Sequence, residues 1–442
     1  MKFLFSLLFF IFPLQDKNKR GLVGDFFCGA GGASVGIEEF GVKVDFAVNH
    51  DQTAIRLHSR NHPETYHMTE DIFTSEVERF VAGRKVSLIW ASPDCTHFSK
   101  AKGKTPRKQG IRMLPYAVYF HAAQLHPEVI CMENVAEIQG WCPIEDREDV
   151  PGFGQPVKSL TGICYKCFVT HMSHGELEPD GRIAGTPSEC RRFCDKCQVV
   201  RDGYTKCLGY DFDSRELCAA DYGAPTTRKR WYAVIRNDHR AIRWPKPTNS
   251  KDGVGLPAWI PASSILDLDN YGQSIEEPLH TITTSPGRFG LVSVKTTDKD
   301  SLNQADRAVL ERAHQVSQFL LLYYGSDTGQ GIDRPLRTIV TKDRFSLITV
   351  LHDGRVLLDI HLRMLSVEEL KRGNGFPDDY DISHDSLWHR IPTSEQVAKI
   401  GNAVVPSMSK AIVSANCPYL YQHDRIPFVQ VSQQQNGQFS FA

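Results

Sequence analysis

Cys95 lies in the run Ser92-Pro93-Asp94-Cys95-Thr96-His97-Phe98-Ser99, directly after the apolar stretch Val86–Ala91, which reads as a buried strand. In an open α/β sheet, ligands bind at the carboxyl ends of the strands, so a thiol just past such an end is a candidate nucleophile. Glu133 follows a second strand-like run, Val129–Met132, where a carboxyl could hold a proton for a reacting group. Arg228 and Arg230 alternate with Lys229, a spacing that puts both guanidiniums on one face of a strand. Gly24–Gly32, GDFFCGAGG, places glycines after a strand and opens a helix, which lets the backbone approach a ligand closely. This stretch lacks the GxGxxG spacing of a dinucleotide fingerprint, and no P-loop lysine follows, so a nucleotide phosphate is not the expected ligand.

The elements that must position these residues follow an alternating rhythm. Strands are expected at Leu22–Phe27, Lys43–Val48, Val86–Ala91, Val129–Met132 and Trp231–Ile235, with helices after the glycine turn, at Gln52–Ser59 and near Tyr116–Gln124. The fold class is therefore α/β, with a doubly wound sheet and helices on both faces. From about 142 to 218 the chain is glycine-rich, charged and cysteine-rich without a sustained period, and it reads as an insertion. Short alternating runs at 237–360 indicate a second, smaller β-rich lobe. Within it, Glu276 and Asp333 each open a copy of the pattern PLxTI, a threonine, then Arg-Phe-x-Leu. Helical pattern returns at 361–416, including Ser366–Arg372, and 417–442 reads as a tail.

With 442 residues, 41% of them hydrophobic and 23% charged, the chain has the composition of a large soluble enzyme. Its formal net charge of -1 gives no global basic signal, so any nucleic-acid surface must be a local patch. The 12 cysteines are scattered, without a disulfide framework, which favours a reducing compartment. Residues 1–20 hold an apolar run too short to span a bilayer and without a small-x-small cleavage site, so an extension of a cytoplasmic protein is expected.

Taken in order, these stretches resemble the cytosine-C5 DNA methyltransferase family from Asp25 to about Val413. Asp25-Phe26-Phe27-Cys28-Gly29-Ala30-Gly31-Gly32 matches the first motif, Asp71-Ile72 the acid after the third strand, and Cys95-Thr96-His97-Phe98-Ser99 the nucleophile loop. Glu133-Asn134-Val135 matches the ENV motif and Arg228-Lys229-Arg230 the RxR motif. Arg334-Pro335-Leu336-Arg337-Thr338 matches the motif after the recognition region, and Gly401-Asn402-Ala403-Val404 the closing motif. There are three departures. Asp94 precedes the nucleophile where the family has proline, Thr226 replaces the glutamine before RxR, and Asn49-His50-Asp51 stands where an acid holds the cofactor ribose.

The resemblance implies a Rossmann-like methyltransferase sheet with a target-recognition domain. It implies S-adenosyl-L-methionine held by Asp25, Phe27, Gly29, Gly31, Gly32, Asp71, Asn402 and Val404, and catalysis by Cys95, Glu133, Arg228 and Arg230. Cytosine C5 is a poor nucleophile until a thiolate adds to C6, and a base in a duplex must be flipped out to be reached. The partner is duplex DNA, with no membrane, and the expected state is a monomer. Cys164-x-x-Cys167 and Cys194-x-x-Cys197 have the spacing of a structural zinc site that closes a loop without a core. Two other readings stay open: the same chemistry on transfer RNA, and a DNA-binding protein with a decayed site.

Overall fold

The computed structural model describes residues 20–94, 114–140, 164–173, 207–267, 332–339 and 364–421, together with the backbone of the short strands between and beyond them. Cys95, Cys194, Cys197, the N-terminal apolar run and the first copy of the PLxTI repeat lie outside the described residues.

Nine strands come first in chain order. They are β1 (Leu22–Phe26), β2 (Phe46–Asn49), β3 (Tyr66–Thr69), β4 (Val86–Ala91), β5 (Val129–Asn134), the small hairpin β6 (Glu176–Leu177) and β7 (Ile183–Ala184), then β8 (Asp211–Cys218) and β9 (Lys229–Arg236). Seven of them form one sheet in the order β3-β2-β1-β4-β5-β9-β8. The first five are parallel, β9 runs antiparallel to them, and β8, antiparallel to β9, runs in the direction of the first five again. Helices α1 (Gly32–Glu39), α2 (Gln52–Asn61), α3 (Val77–Val81), α4 (Leu114–Leu125) and α5 (Tyr165–Met172) connect the strands or pack on them. Strands β4 and β5 are buried along their whole length, as expected when helices cover both faces. One core layer joins β1, β4, β5 and β9 to α4 and α5, and another joins them to α1 and the C-terminal helix.

A second sheet of five strands, β10 (Gln273–Ser274), β11 (Gln315–Leu322), β12 (Gln330–Gly331), β13 (Phe345–His352) and β14 (Leu357–Met364), is antiparallel in the order β10-β14-β13-β11-β12. This is the β-rich lobe, and β14 carries it past position 360 to Met364. The chain returns through α6 (Val367–Gly373), α7 (Thr393–Asn402) and α8 (Pro406–Asn416). Helix α6 opens with a capping box between Ser366 and Glu369, which satisfies two helix-start N–H groups.

Two findings modify the sequence reading of 142–218. Helix α5 buries Phe168, Val169 and Met172 in the main core, and β8 forms the sheet's antiparallel edge, so parts of that stretch belong to the catalytic domain. Strand β8 escapes the pattern search because DFDSRELC, at an edge, is exposed or half-exposed through most of its length.

Candidate active site

Strand order brings the chemistry together. β1 connects to β2 on one side, and the chain later crosses back to lay β4 on the other side of β1, so the carboxyl ends of β1 and β4 flank a topological switch point. Phe26 is in register with Ala91, and the Ser92 N–H donates to the Phe26 carbonyl at 3.3 Å. The glycine loop and the Cys95 loop therefore leave the sheet side by side. β5 ends one strand further on, with Ala91 opposite Met132, and antiparallel β9 starts level with it, with Asn134 opposite Trp231.

Glu133 is buried at this edge. Arg230 Nε lies 3.2 Å from its Oε1, without hydrogen-bond alignment, and among the described residues Oε1 has no hydrogen-bond partner. Burial raises the Glu133 carboxyl's affinity for a proton, and the charges of Arg230 and Arg228 oppose this. The side chain is suited to hold or share a proton with a group that enters the site. Asn134 beside it is fully buried, and its Nδ2 donates to the Pro93 carbonyl at 2.8 Å. The ENV stretch thus anchors the chain at Pro93, two residues before Cys95, a link the sequence motif did not reveal.

Arg228 and Arg230 do not play equivalent parts. Arg228 is buried, and its Nη1 donates to the carbonyls of Ile339 at 3.2 Å and Gly401 at 2.8 Å. It straps the segment after Pro335 and the end of α7 to the start of β9. Arg230 is the one that faces Glu133. Thr226, in the glutamine position, makes a parallel bridge to Leu336 and donates from Oγ1 to the Arg337 carbonyl at 3.3 Å.

The glycine loop turns sharply. Phe27, Gly29 and Gly31 have φ of 61, 52 and 80°, the left-handed region. A Cβ on Gly29 would meet only the Phe27 carbonyl, at 3.7 Å, so open space fronts this residue. A Cβ on Gly31 would strike the Tyr380 hydroxyl at 2.3 Å, and one on Gly32 the Val404 carbonyl at 2.0 Å. Gly32 and Val404, read as cofactor residues, are thus also a helix-packing contact. Asn402 is exposed at the end of α7. Asp71 is exposed after β3, with its Oδ1 accepting from the Phe73 N–H at 2.9 Å.

At the end of β2, Asp51 caps α2 by accepting from Thr53 N and Ala54 N, and its other oxygen pairs with Lys399. Burial opposes ionisation of Asp51, but Lys399 and the cap hold its carboxyl below the usual range. Beside it, the Asn49 Oδ1 accepts from the Asp51 N–H at 2.9 Å, so Asn49 and Asp51 both have engaged side chains at this strand end. The loop's open front at Gly29 and the orphaned buried Oδ1 of Asp25 suit a cationic cofactor that lies against backbone.

Cys164 lies before α5, and its sulfur accepts from the Cys167 N–H at 3.4 Å. Among the described residues, no group of three or more His, Cys, Asp or Glu could hold a metal ion. Cys194 and Cys197, the other half of the expected zinc set, are outside them. Among the described residues, no helix is long and apolar enough to cross a membrane.

A doubly wound sheet of this strand order, with a glycine loop after its first strand, is the fold of an S-adenosylmethionine-dependent methyltransferase. The family model for C-5 cytosine-specific DNA methylase matches residues 22–142 and 204–416, and the chain belongs to that family, whose members methylate DNA cytosine at C5. It is similar to the Type II methyltransferase M.AgeI of Thalassovita gelatinovora, 24% identical over 446 residues that cover 88% of this chain and 97% of the relative. It is also similar to M1.HphI of Haemophilus parahaemolyticus, 23% identical with 88% and 85% covered. Among solved structures, Dnmt2 methyltransferase of S. pombe is 15% identical with a TM-score of 0.47, covering 89% of this chain and 97% of that one.

Proposed function

We propose that the enzyme methylates C5 of cytosine in a specific duplex DNA sequence through a covalent adduct between Cys95 and C6 of a flipped-out base. The observation that carries this reading is Glu133, a buried acid with an orphaned oxygen and an arginine partner, one strand away from the nucleophile loop that Asn134 anchors. The Cys95 thiolate adds to C6 while Glu133 supplies a proton at N3, which keeps charge off the ring. S-adenosylmethionine supplies an electrophilic methyl group to the activated C5. Loss of the C5 proton to a base then lets the Cys95–C6 bond break and restores the ring. Arg230 orients Glu133 and the base, and Arg228 holds the floor beneath them.

The named relatives are Type II methyltransferases, which supports a restriction-modification role with the five-stranded sheet reading the target. In this reading the enzyme acts as a cytoplasmic monomer. On the spacing of the two Cys-x-x-Cys pairs, Cys164, Cys167, Cys194 and Cys197 hold one structural zinc in this reading, with only Cys164 and Cys167 among the described residues. Metal analysis should find close to one zinc per chain, and a metal-free protein removes this assignment.

DNA carrying 5-fluorocytosine blocks loss of the C5 substituent and should trap the wild-type enzyme covalently, with the adduct mapping to Cys95. An adduct formed equally well by Cys95→Ser assigns the nucleophile elsewhere.

A further inference from the structure

Behind the glycine loop, three elements contribute side chains to one buried chain of hydrogen bonds. Ser34 Oγ, on α1, lies 2.7 Å from Asp25 Oδ2 at the end of β1. His58 Nε2, on α2, lies 3.0 Å from Ser34 Oγ, and His67 Nε2, on β3, lies 2.8 Å from His58 Nδ1. The direction of this chain depends on Asp25. A serine has one proton, so if Ser34 donates to an ionised Asp25 its oxygen must accept from His58 Nε2–H. A neutral His58 with its proton on Nε2 must then accept at Nδ1 from His67. A protonated Asp25 does not require this order.

Further titratable groups among the described residues face this chain. Glu38 on α1 meets His62 on α2 at 2.7 Å, and the His62 ring lies 4.4 Å from that of His58. The Tyr380 hydroxyl, from the segment after α6, donates to the Ala30 carbonyl of the loop at 2.6 Å. Cys28 is buried in the loop itself, with the Asp51–Lys399 pair beyond it. Asp25 is fully buried, and among the described residues its Oδ1 has no hydrogen-bond partner.

We propose that Asp25, Ser34, His58 and His67 form a directional relay behind the cofactor loop, in which Ser34 and His58 are positioning residues that tie cofactor affinity to pH. The proposal rests on this loop holding S-adenosylmethionine. Burial pushes the Asp25 carboxyl up to about 7, against the Ser34 hydroxyl and N–H. Burial lowers His58 well below the usual imidazole range and His67 to about 4, so both are neutral donors near pH 7. The cofactor carries an ammonium and a sulfonium, and a cation brought to the loop favours the charged carboxyl, so binding below about pH 7 expels a proton.

The test is calorimetric binding of S-adenosylhomocysteine, which keeps the ammonium, from pH 5.5 to 8. For wild type, Kd should weaken by up to about tenfold per pH unit below pH 7, with proton release seen by comparing buffers of different ionisation heat. Ser34→Ala should move the midpoint upward and weaken binding roughly tenfold at pH 6.5, with little change at pH 8. His67→Leu should shift it the same way, and His67→Gln, which keeps an N–H donor, should restore it. A residue that only stabilises the fold would lower Tm and leave the midpoint in place. A flat wild-type profile without proton release, or one profile shared by wild type, Ser34→Ala and His67→Leu, overturns the relay. The buffer comparison needs no variant to fold. Absence of binding at every pH would instead remove the cofactor assignment, and the relay with it.

Discussion

Glu133 is held at the floor of the site with Arg230 Nε 3.2 Å from its Oε1, an oxygen without a hydrogen-bond partner among the described residues. Glu133→Gln preserves the shape but cannot supply the proton, so single-turnover methylation should slow on the order of a hundredfold to ten-thousandfold, with DNA affinity nearly kept. An unchanged single-turnover rate would take Glu133 out of the mechanism. Asp25 has a different signature. Its folded carboxyl, at about 7, binds a proton more tightly than the usual 3.8, so its contribution to stability is full below about pH 4 and lost as pH rises to 7. Asp25→Asn should therefore raise the Tm of the cofactor-free protein at pH 8 by an amount worth on the order of a few kcal/mol, and the gain should shrink toward pH 4. Cys95 and Glu133 were visible in the sequence as candidates because each follows an apolar strand-like run, although Cys95 lies outside the described residues. The relay was not, because Ser34, His58 and His67 meet only when three elements pack, although His58 and His62 at i,i+4 spacing do mark one helix face.

The elements most tightly constrained are α1 and α8. A Cβ on Gly36 would lie 2.0 Å from the Pro406 carbonyl and 2.1 Å from Ser409 Oγ, just as Gly32 meets Val404 one turn earlier. The two glycines, four residues apart, let α1 press against the C-terminal helix and so fix the start of α1 where the cofactor loop ends. Gly36→Ala must push the helices apart. It should cost about 1–3 kcal/mol in unfolding measurements and weaken S-adenosylhomocysteine binding along with stability. Strong binding at reduced stability would separate helix packing from the loop. The glycine-rich turn was visible in the sequence, but its glycines carry three separate duties: an open front at Gly29, contact with Tyr380 at Gly31, and helix packing at Gly32. No spacing rule distinguishes them. Arg228 and Arg230 show the same limit. Alternation gave them a shared face, yet Arg228 is turned to the carbonyls of Ile339 and Gly401, residues distant in sequence.

Across the whole molecule, the sheet order places the glycine loop, the segment leading to Cys95, Glu133 and Arg230 at neighbouring strand ends, and the family match spans both sides of the segment at 143–203. That segment is not a mere appendage. Phe168 on α5 is 1% exposed in the main core, so Phe168→Ala should destabilise the enzyme by about 3–5 kcal/mol in chemical denaturation, although it lies outside the family-matched residues. The doubly wound class and the β-rich lobe could be read from strand and helix rhythm. α5 and β8 were hidden, one by its short length among cysteines and the other by its exposed edge position. The central claim is methyl transfer to C5 of DNA cytosine, and it is tested most directly by incubating purified enzyme with labelled S-adenosylmethionine and either duplex DNA or transfer RNA, then identifying the labelled nucleoside by mass spectrometry. The account expects labelled 5-methyldeoxycytidine from duplex DNA, absent with Cys95→Ser. Label confined to transfer RNA, or 5-methyldeoxycytidine formed undiminished by Cys95→Ser, would contradict it.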